Sequence, residues 1–180
     1  MQLARTLAAI AATAGLAAGA CAFEISSTDI AAGKPMPKAQ EFSGFGCDGG
    51  NHSPALAWKD APAGTKSYAL TVYDPDAPTG SGWWHWVVVD LPAATNGLAQ
   101  GTVAANLPKG ARQMRNDFGA RDFGGACPPQ GHGVHHYHFV IHALKVDHLE
   151  VPEDATAALV GYMIHANELG SAELTALYQR

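Results

Sequence analysis

The stretch Val134-His135-His136-Tyr137-His138-Phe139-Val140-Ile141-His142-Ala143-Leu144 decides the fold class of this chain. Its side chains sort with the period of two that a β-strand imposes. His135, Tyr137, Phe139, Ile141 and Ala143 share one face and read as core. His136, His138, Val140 and His142 share the other and read as solvent-facing or half-covered. Working outward, Ser67 to Tyr73 and Trp84 to Leu91 also read as strands, the second with Val87-Val88-Val89 buried on both faces. Alternation there places Leu70, Val72 and Asp74 on one face, and Trp83, His85, Val87 and Val89 on one face. Asn51-His52-Ser53-Pro54, Ala61-Pro62-Ala63-Gly64-Thr65 and Asp117-Phe118-Gly119 read as turns. Short apolar runs between turn clusters, with no long helical periodicity before residue 150, predict a mainly β, antiparallel domain.

The tail differs. Asp154 is the expected N-cap of a helix, preceded by Pro152. Ala155, Ala158, Leu159, Tyr162, Met163 and Ala166 follow at helical spacing, as a core-packing face, and Gly170 is expected to end the helix. Ala172 to Tyr178 is a second short helical or extended piece. Neither an internal repeat nor a linker divides the chain.

Residues 1–22 read as a secretory signal: Arg5, an Ala-rich apolar run from Leu7 to Ala18, and the small-x-small site Ala20-Cys21-Ala22, with cleavage before Phe23. Acylation of Cys21 would call for a bulky aliphatic residue three places earlier, where Ala18 stands. Residues 23–180 are then one periplasmic or secreted domain of ordinary size. The net charge of −5 argues against a nucleic-acid surface, and no second apolar run approaches membrane-spanning length. Cleavage leaves Cys47 and Cys127, and an even count in an exported chain suggests a disulfide. The competing reading makes Cys127 a reactive thiol near His135.

The titratable groups gather at strand mouths. Asp74 emerges on the core side beside Pro75, where a carboxylate needs partners. Asp76 is close enough to couple to it, so that one of the two could hold a proton. His85 faces inward among Trp83, Trp84 and Trp86, an aromatic box with a donor at its base. The glycines of Gly124-Gly125-Ala126-Cys127 permit backbone N–H groups to point at an anion. His135 and Tyr137 stand where the third strand begins. Donors predominate in this set, so the expected ligand is a phosphate-like or carboxylate group.

These segments resemble the phosphatidylethanolamine-binding protein family, in its bacterial Raf-kinase-inhibitor-like (YbhB/YbcL type) branch. The resemblance is carried by Phe42-Ser43-Gly44-Phe45-Gly46-Cys47 with Asn51 and Ser53-Pro54. It continues in Asp74-Pro75-Asp76-Ala77-Pro78 with His85, and in Gly125 with Pro128-Pro129, Gly131 and His135-His136-Tyr137. It implies an antiparallel β-sandwich with a few short peripheral helices. It also implies an anion pocket of Asp74, Asp76, His85, Gly125, His135 and Tyr137, with Trp83 as a wall. No cofactor is implied. Bacterial relatives suggest a homodimer, and the family makes an inhibitor or signalling role conceivable. Many eukaryotic members carry Arg before the signature Tyr, where this chain has His136, so contacts made through that Arg are not implied here.

Two other readings use the same residues. Asp74, Asp76, His85 and His135 could perform acid–base chemistry as a hydrolase, although no G-x-S-x-G elbow is present. The crowded His132, His135, His136, His138 and His142 could chelate a metal, because residues two apart on a strand share a face. The sequence holds no fixed metal-ligand motif, and a solvated polar face is the plainer reading.

Overall fold

A computed structural model describes residues 22–180. Apart from Ala22, the export signal expected at residues 1–22 lies outside the described residues. Ten strands and one α-helix succeed one another within the described residues. They are β1 (Glu24–Ser26), β2 (Ser43–Gly44), β3 (Cys47–Asp48), β4 (Leu56–Lys59), β5 (Ser67–Asp74), β6 (Trp83–Pro92), β7 (Gly97–Leu98), β8 (Arg112–Gln113), β9 (His135–Leu144), α1 (Ala157–Asn167) and β10 (Glu168–Tyr178). The three long strands expected from alternation are found within one residue of their predicted bounds.

β5 is the centre of a five-stranded antiparallel sheet of order β10-β9-β5-β6-β8. β1, β4 and β7 form a three-stranded sheet, and β2 with β3 makes a hairpin. Between the two larger sheets lies a core that includes Leu56, Trp58, Leu70, Val72, Trp86, Val88, Tyr137, Phe139 and Ile141. Phe139 is wholly buried there, and truncating such a ring to Ala costs about 3–5 kcal/mol. On the opposite face of the five-stranded sheet, Ala69, Val87, Val89 and Leu144 pack against Val160 and Ile164 of α1. The architecture is a mainly β antiparallel sandwich with a helix over its outer face.

Strict alternation fails in β6. Val72 pairs with Trp86, but Tyr73 pairs with Trp84, which leaves His85 as the extra residue of a β-bulge. A bulge turns two successive side chains to one side and rephases the rest of the strand. Trp83, paired with Asp74, and His85 therefore join Trp86 and Val88 on the inner side, while Val87 and Val89 face α1. The expectation that Trp83, His85, Val87 and Val89 share one face is corrected by this insertion. A second shift, between Tyr68 and Leu70, accompanies Asp90, whose φ is 59°.

The tail is also rephased. Thr156, not Asp154, is the N-cap of α1; its side chain accepts the Leu159 N–H. The buried face is Ala157, Val160, Gly161 and Ile164; of the expected stripe, Ala155 is buried and Met163 packs against the same core, whereas Ala158, Leu159, Tyr162 and Ala166 point outward. Small apolar residues all around this helix made the choice of face ambiguous. The helix stops at Asn167, before Gly170, and the chain turns directly into β10.

Candidate functional site

The ends of β5, β6 and β9 meet at one edge of the inner core, beside the Cys127–Pro129 loop and the β2–β3 hairpin. There they enclose a pocket of about 220 Å³ whose lining includes Asp74, Trp83, His85, His135 and Tyr137. Five of the residues expected to form the site are thus brought together. Asp76 and Gly125 are not in its lining.

Asp74 is buried, and both of its carboxylate oxygens are occupied. Oδ1 accepts the N–H of Asp76 at 2.8 Å, a local turn of the Asx kind, and Oδ2 meets His135 Nδ1 at 2.7 Å. A carboxylate only accepts, so His135 Nδ1 donates. His135 Nε2 meets His132 Nδ1 at 2.8 Å, which leaves the ring engaged at both nitrogens. The Asp76 carboxylate lies outside this chain of contacts. Its Oδ2 accepts both the backbone N–H (2.8 Å) and the Nδ1–H (2.7 Å) of His136. Burial pushes its carboxyl up, but those two hydrogen bonds and the charge of His136 outweigh it and leave the group below its usual value. The coupling expected between Asp74 and Asp76 resolves into separate partners for each.

His85 sits at the base. Its Nδ1 lies 2.7 Å from the Gly124 carbonyl, and its ring packs edge-on against Tyr137 (5.0 Å) and Phe118 (5.4 Å). Burial strips water from the ring and holds its pKa below the ordinary histidine value, against the opposing pull of the Gly124 carbonyl. Burial likewise pushes the Tyr137 phenol upward. Trp83 Nε1 is buried and has no hydrogen-bond partner among the described residues. The expected tryptophan box is only partly formed. Trp83 is a wall, but Trp84 lies across the sheet against Tyr73, and Trp86 is in the core with its Nε1–H donated to Gln113.

Gly125 lies outside the pocket lining, packed closely against the backbone of residues 40–42. Its N–H is donated to Asn51 Oδ1 at 2.7 Å. A Cβ at Gly125 would lie 2.4 Å from the Gln40 carbonyl oxygen and 2.6 Å from the Phe42 nitrogen. Cys47 and Cys127 form a disulfide with Cα atoms 6.1 Å apart, which removes the free-thiol reading of Cys127. The bridge fastens the β2–β3 hairpin to the pocket wall. Phe45 at the hairpin's tip lines the mouth and is 70% exposed. Its ring joins Phe42 and Phe118 in an aromatic cluster. The sequence signal for Phe45 and Phe118 as site residues is weak: the first lies in a segment that carries the family resemblance, the second in a turn-like one.

On the far side of the sheet the expected histidine face is engaged with carboxylates: His138 with Glu173 and His142 with Glu168. Among the described residues, no group of three or more His, Cys, Asp or Glu is arranged to hold a metal ion.

A family model for the phosphatidylethanolamine-binding protein matches residues 26–179. The UPF0098 protein YbcL of Escherichia coli K12 is 52% identical over 168 residues, covering 90% of each chain. YbhB of the same organism is 50% identical over 154 residues, covering 84% of this chain and 97% of its own. The crystal structure of E. coli YbcL, described as a new member of the mammalian PEBP family, superposes with a TM-score of 0.86 at 51% identity. The match covers 88% of this chain and 98% of that one. The chain belongs to the phosphatidylethanolamine-binding protein family, and with it to a group whose general character is ligand binding. Among the described residues, no helix is long and apolar enough to cross a membrane.

Proposed function

We propose that this chain is an exported binding protein whose pocket holds a phosphoryl or carboxylate group, such as a phospholipid head group, without converting it. The observation that carries the reading is the buried, unpartnered Trp83 Nε1–H, in a pocket it shares with His85 and Tyr137. A buried donor left unpaired costs about 1–3 kcal/mol, and an anionic oxygen would relieve that cost. The Tyr137 hydroxyl is a second donor, and His85 Nε2 a third once protonated. Asp74 is compatible with an anion because both its oxygens already accept hydrogen bonds. Phe45, Phe118, Pro128 and Pro129 would receive whatever apolar body the anion carries.

Binding without turnover is supported by what meets the Asp74–His135 pair. Its outer nitrogen faces another imidazole, His132, and Cys127 is bridged, so among the described residues neither a hydroxyl nor a thiol meets that nitrogen for activation. The family is mostly one of non-catalytic binding proteins. Export is supported by the signal-like sequence of residues 1–22 and by the disulfide. The mature form would begin at Phe23 as a single domain, which mass measurement of the periplasmic protein tests; an uncleaved mass refutes it.

The direct test of the pocket is calorimetric titration with phosphate, phosphoethanolamine and acetate, alongside His85→Ala. Saturable binding that the substitution abolishes is expected. No heat from any of the three at ~10 mM ligand, a concentration well above a weak millimolar Kd, would sink the reading.

A further inference from the structure

The outer face of the five-stranded sheet carries a larger cavity, about 400 Å³, beneath α1 and outside the family site. Tyr73 and Trp84, with ring centroids 4.7 Å apart, share its lining with the apolar side chains of Val140 and Ile164. Gly161 helps leave the space open. A glycine inside a helix costs about 1 kcal/mol against alanine, and a Cβ at this one would stand 3.4 Å from the Trp84 ring.

The three imidazoles of the lining each meet a carboxylate, Glu173 of the lining or Glu168 outside it, and Thr71 and Ser171 add hydroxyls. His138 Nδ1 lies 2.6 Å from Glu173 Oε1. His142 Nδ1 lies 2.9 Å from Glu168 Oε1, and its Nε2 lies 3.0 Å from the Thr71 hydroxyl. His165 Nδ1 lies 3.3 Å from Glu168 Oε2. A carboxylate fixes the proton on each Nδ1, so a neutral His138 or His165 presents Nε2 as an acceptor. The hydrogen bond from His142 is the main cause holding Glu168 down at about 2. Glu173 is also lowered: burial pushes it up, but Thr175 and His138 outweigh that. Among the described residues, neither Lys nor Arg lines the cavity. With the imidazoles neutral, the charge in the lining is that of Glu173, and Glu168 is held next to it by His142 and His165; the rings of Tyr73 and Trp84 line the same space, and aromatic rings attract cations.

We propose that this cavity is a second binding site, taking an organic ammonium ion carried on an aromatic or aliphatic body. Its charge preference is opposite to that of the pocket on the other face of the sheet, and it does not depend on the anion reading.

The experiment is an NMR titration of the oxidised protein at about pH 8, where an unperturbed imidazole is neutral. The probe is benzylammonium, with benzyl alcohol and phenylacetate as neutral and anionic controls. Saturable shifts at Trp84, Gly161 and His138 are expected with benzylammonium, with benzyl alcohol weaker by about fivefold. Glu173→Gln should weaken benzylammonium roughly threefold to fivefold, in keeping with a half-exposed ion pair and a cation–π contact. Gly161→Leu should abolish it, and His85→Ala should leave it unchanged. Should Gly161→Leu fail to fold, Glu173→Gln alone carries the test. Absence of saturable shifts, equal binding of benzyl alcohol, equal binding of phenylacetate at these residues, or no effect of Glu173→Gln overturns the proposal.

Discussion

His85 donates its Nδ1–H to the Gly124 carbonyl at 2.7 Å, and Gly124 returns its own N–H to the His85 carbonyl at 2.9 Å. A carbonyl can only accept, so this pair fixes the tautomer. His85 Nε2 is then a lone pair in the neutral ring, and an anion can be gripped there only together with a proton.

Anion affinity should therefore depend on pH. Sulfate brings no proton of its own near neutrality. Its affinity should rise as pH falls, approaching tenfold per unit while free His85 stays neutral. Calorimetry between about pH 8 and 6 checks this; a flat profile would show that His85 does not contribute the proton. In ligand-free protein the sign reverses. Because the folded pKa lies below the unfolded one, the unfolded chain binds more protons as pH drops below about 6.5. The stability present above that value is lost as pH falls through the folded pKa. His85→Asn should flatten that decline in urea midpoints.

Glu41 should govern the acid limb of stability. Burial pushes its carboxyl up, but Lys38 at 2.8 Å, the Tyr178 hydroxyl and the Asp48 N–H at 3.0 Å pull it down to about 2. Its folded pKa is depressed, so its stabilisation is present above the ordinary carboxyl value and lost as pH falls through about 2. Glu41→Gln should unfold with a shallower acid transition by circular dichroism than wild type. Superimposable transitions would contradict this.

Gly125→Ala should act on folding rather than on the ligand. With backbone atoms at 2.4 and 2.6 Å from the new Cβ, overpacking of about 3 kcal/mol is expected. Asn51→Ala, which strips Gly125 N–H of its acceptor, should cost about 1–3 kcal/mol. In both variants the folded fraction should bind anions as wild type does. Loss of binding without loss of stability would restore Gly125 as an anion donor.

The disulfide spans 80 residues of sequence, and closing a loop of that size stabilises by up to ~4.5 kcal/mol in the chain-entropy account. Cys47→Ser with Cys127→Ser should lower the denaturant midpoint accordingly. It should also weaken anion binding, because Cys127 and Phe45 both line the pocket. Anion affinity that survives intact would mean that the hairpin is placed without the bridge.

Period-two reading found β5, β6 and β9 and the inward set of Tyr137, Phe139, Ile141 and Ala143. It lost the faces of β6 because one inserted residue inverts every assignment beyond it, and no single-residue signal marks His85 as that insertion. The buried side of α1 was missed for a related reason. Leu159 and Tyr162 look like core by type yet are exposed, while Ala157 and Gly161 are buried because small side chains let the helix approach the sheet. The pairing of Asp74 with His135 joins residues far apart in sequence. Nearness in sequence pointed instead to Asp76, whose own partner is His136.

The bulge also bears on how such a pocket can diversify. His85 is added to β6 rather than paired across from β5, so the ladder on either side does not count on its side chain. A lineage could exchange the residue at the pocket's base, and with it the chemistry of the guest, while every neighbouring strand keeps its register. The sheet then works as an invariant frame around an interchangeable part.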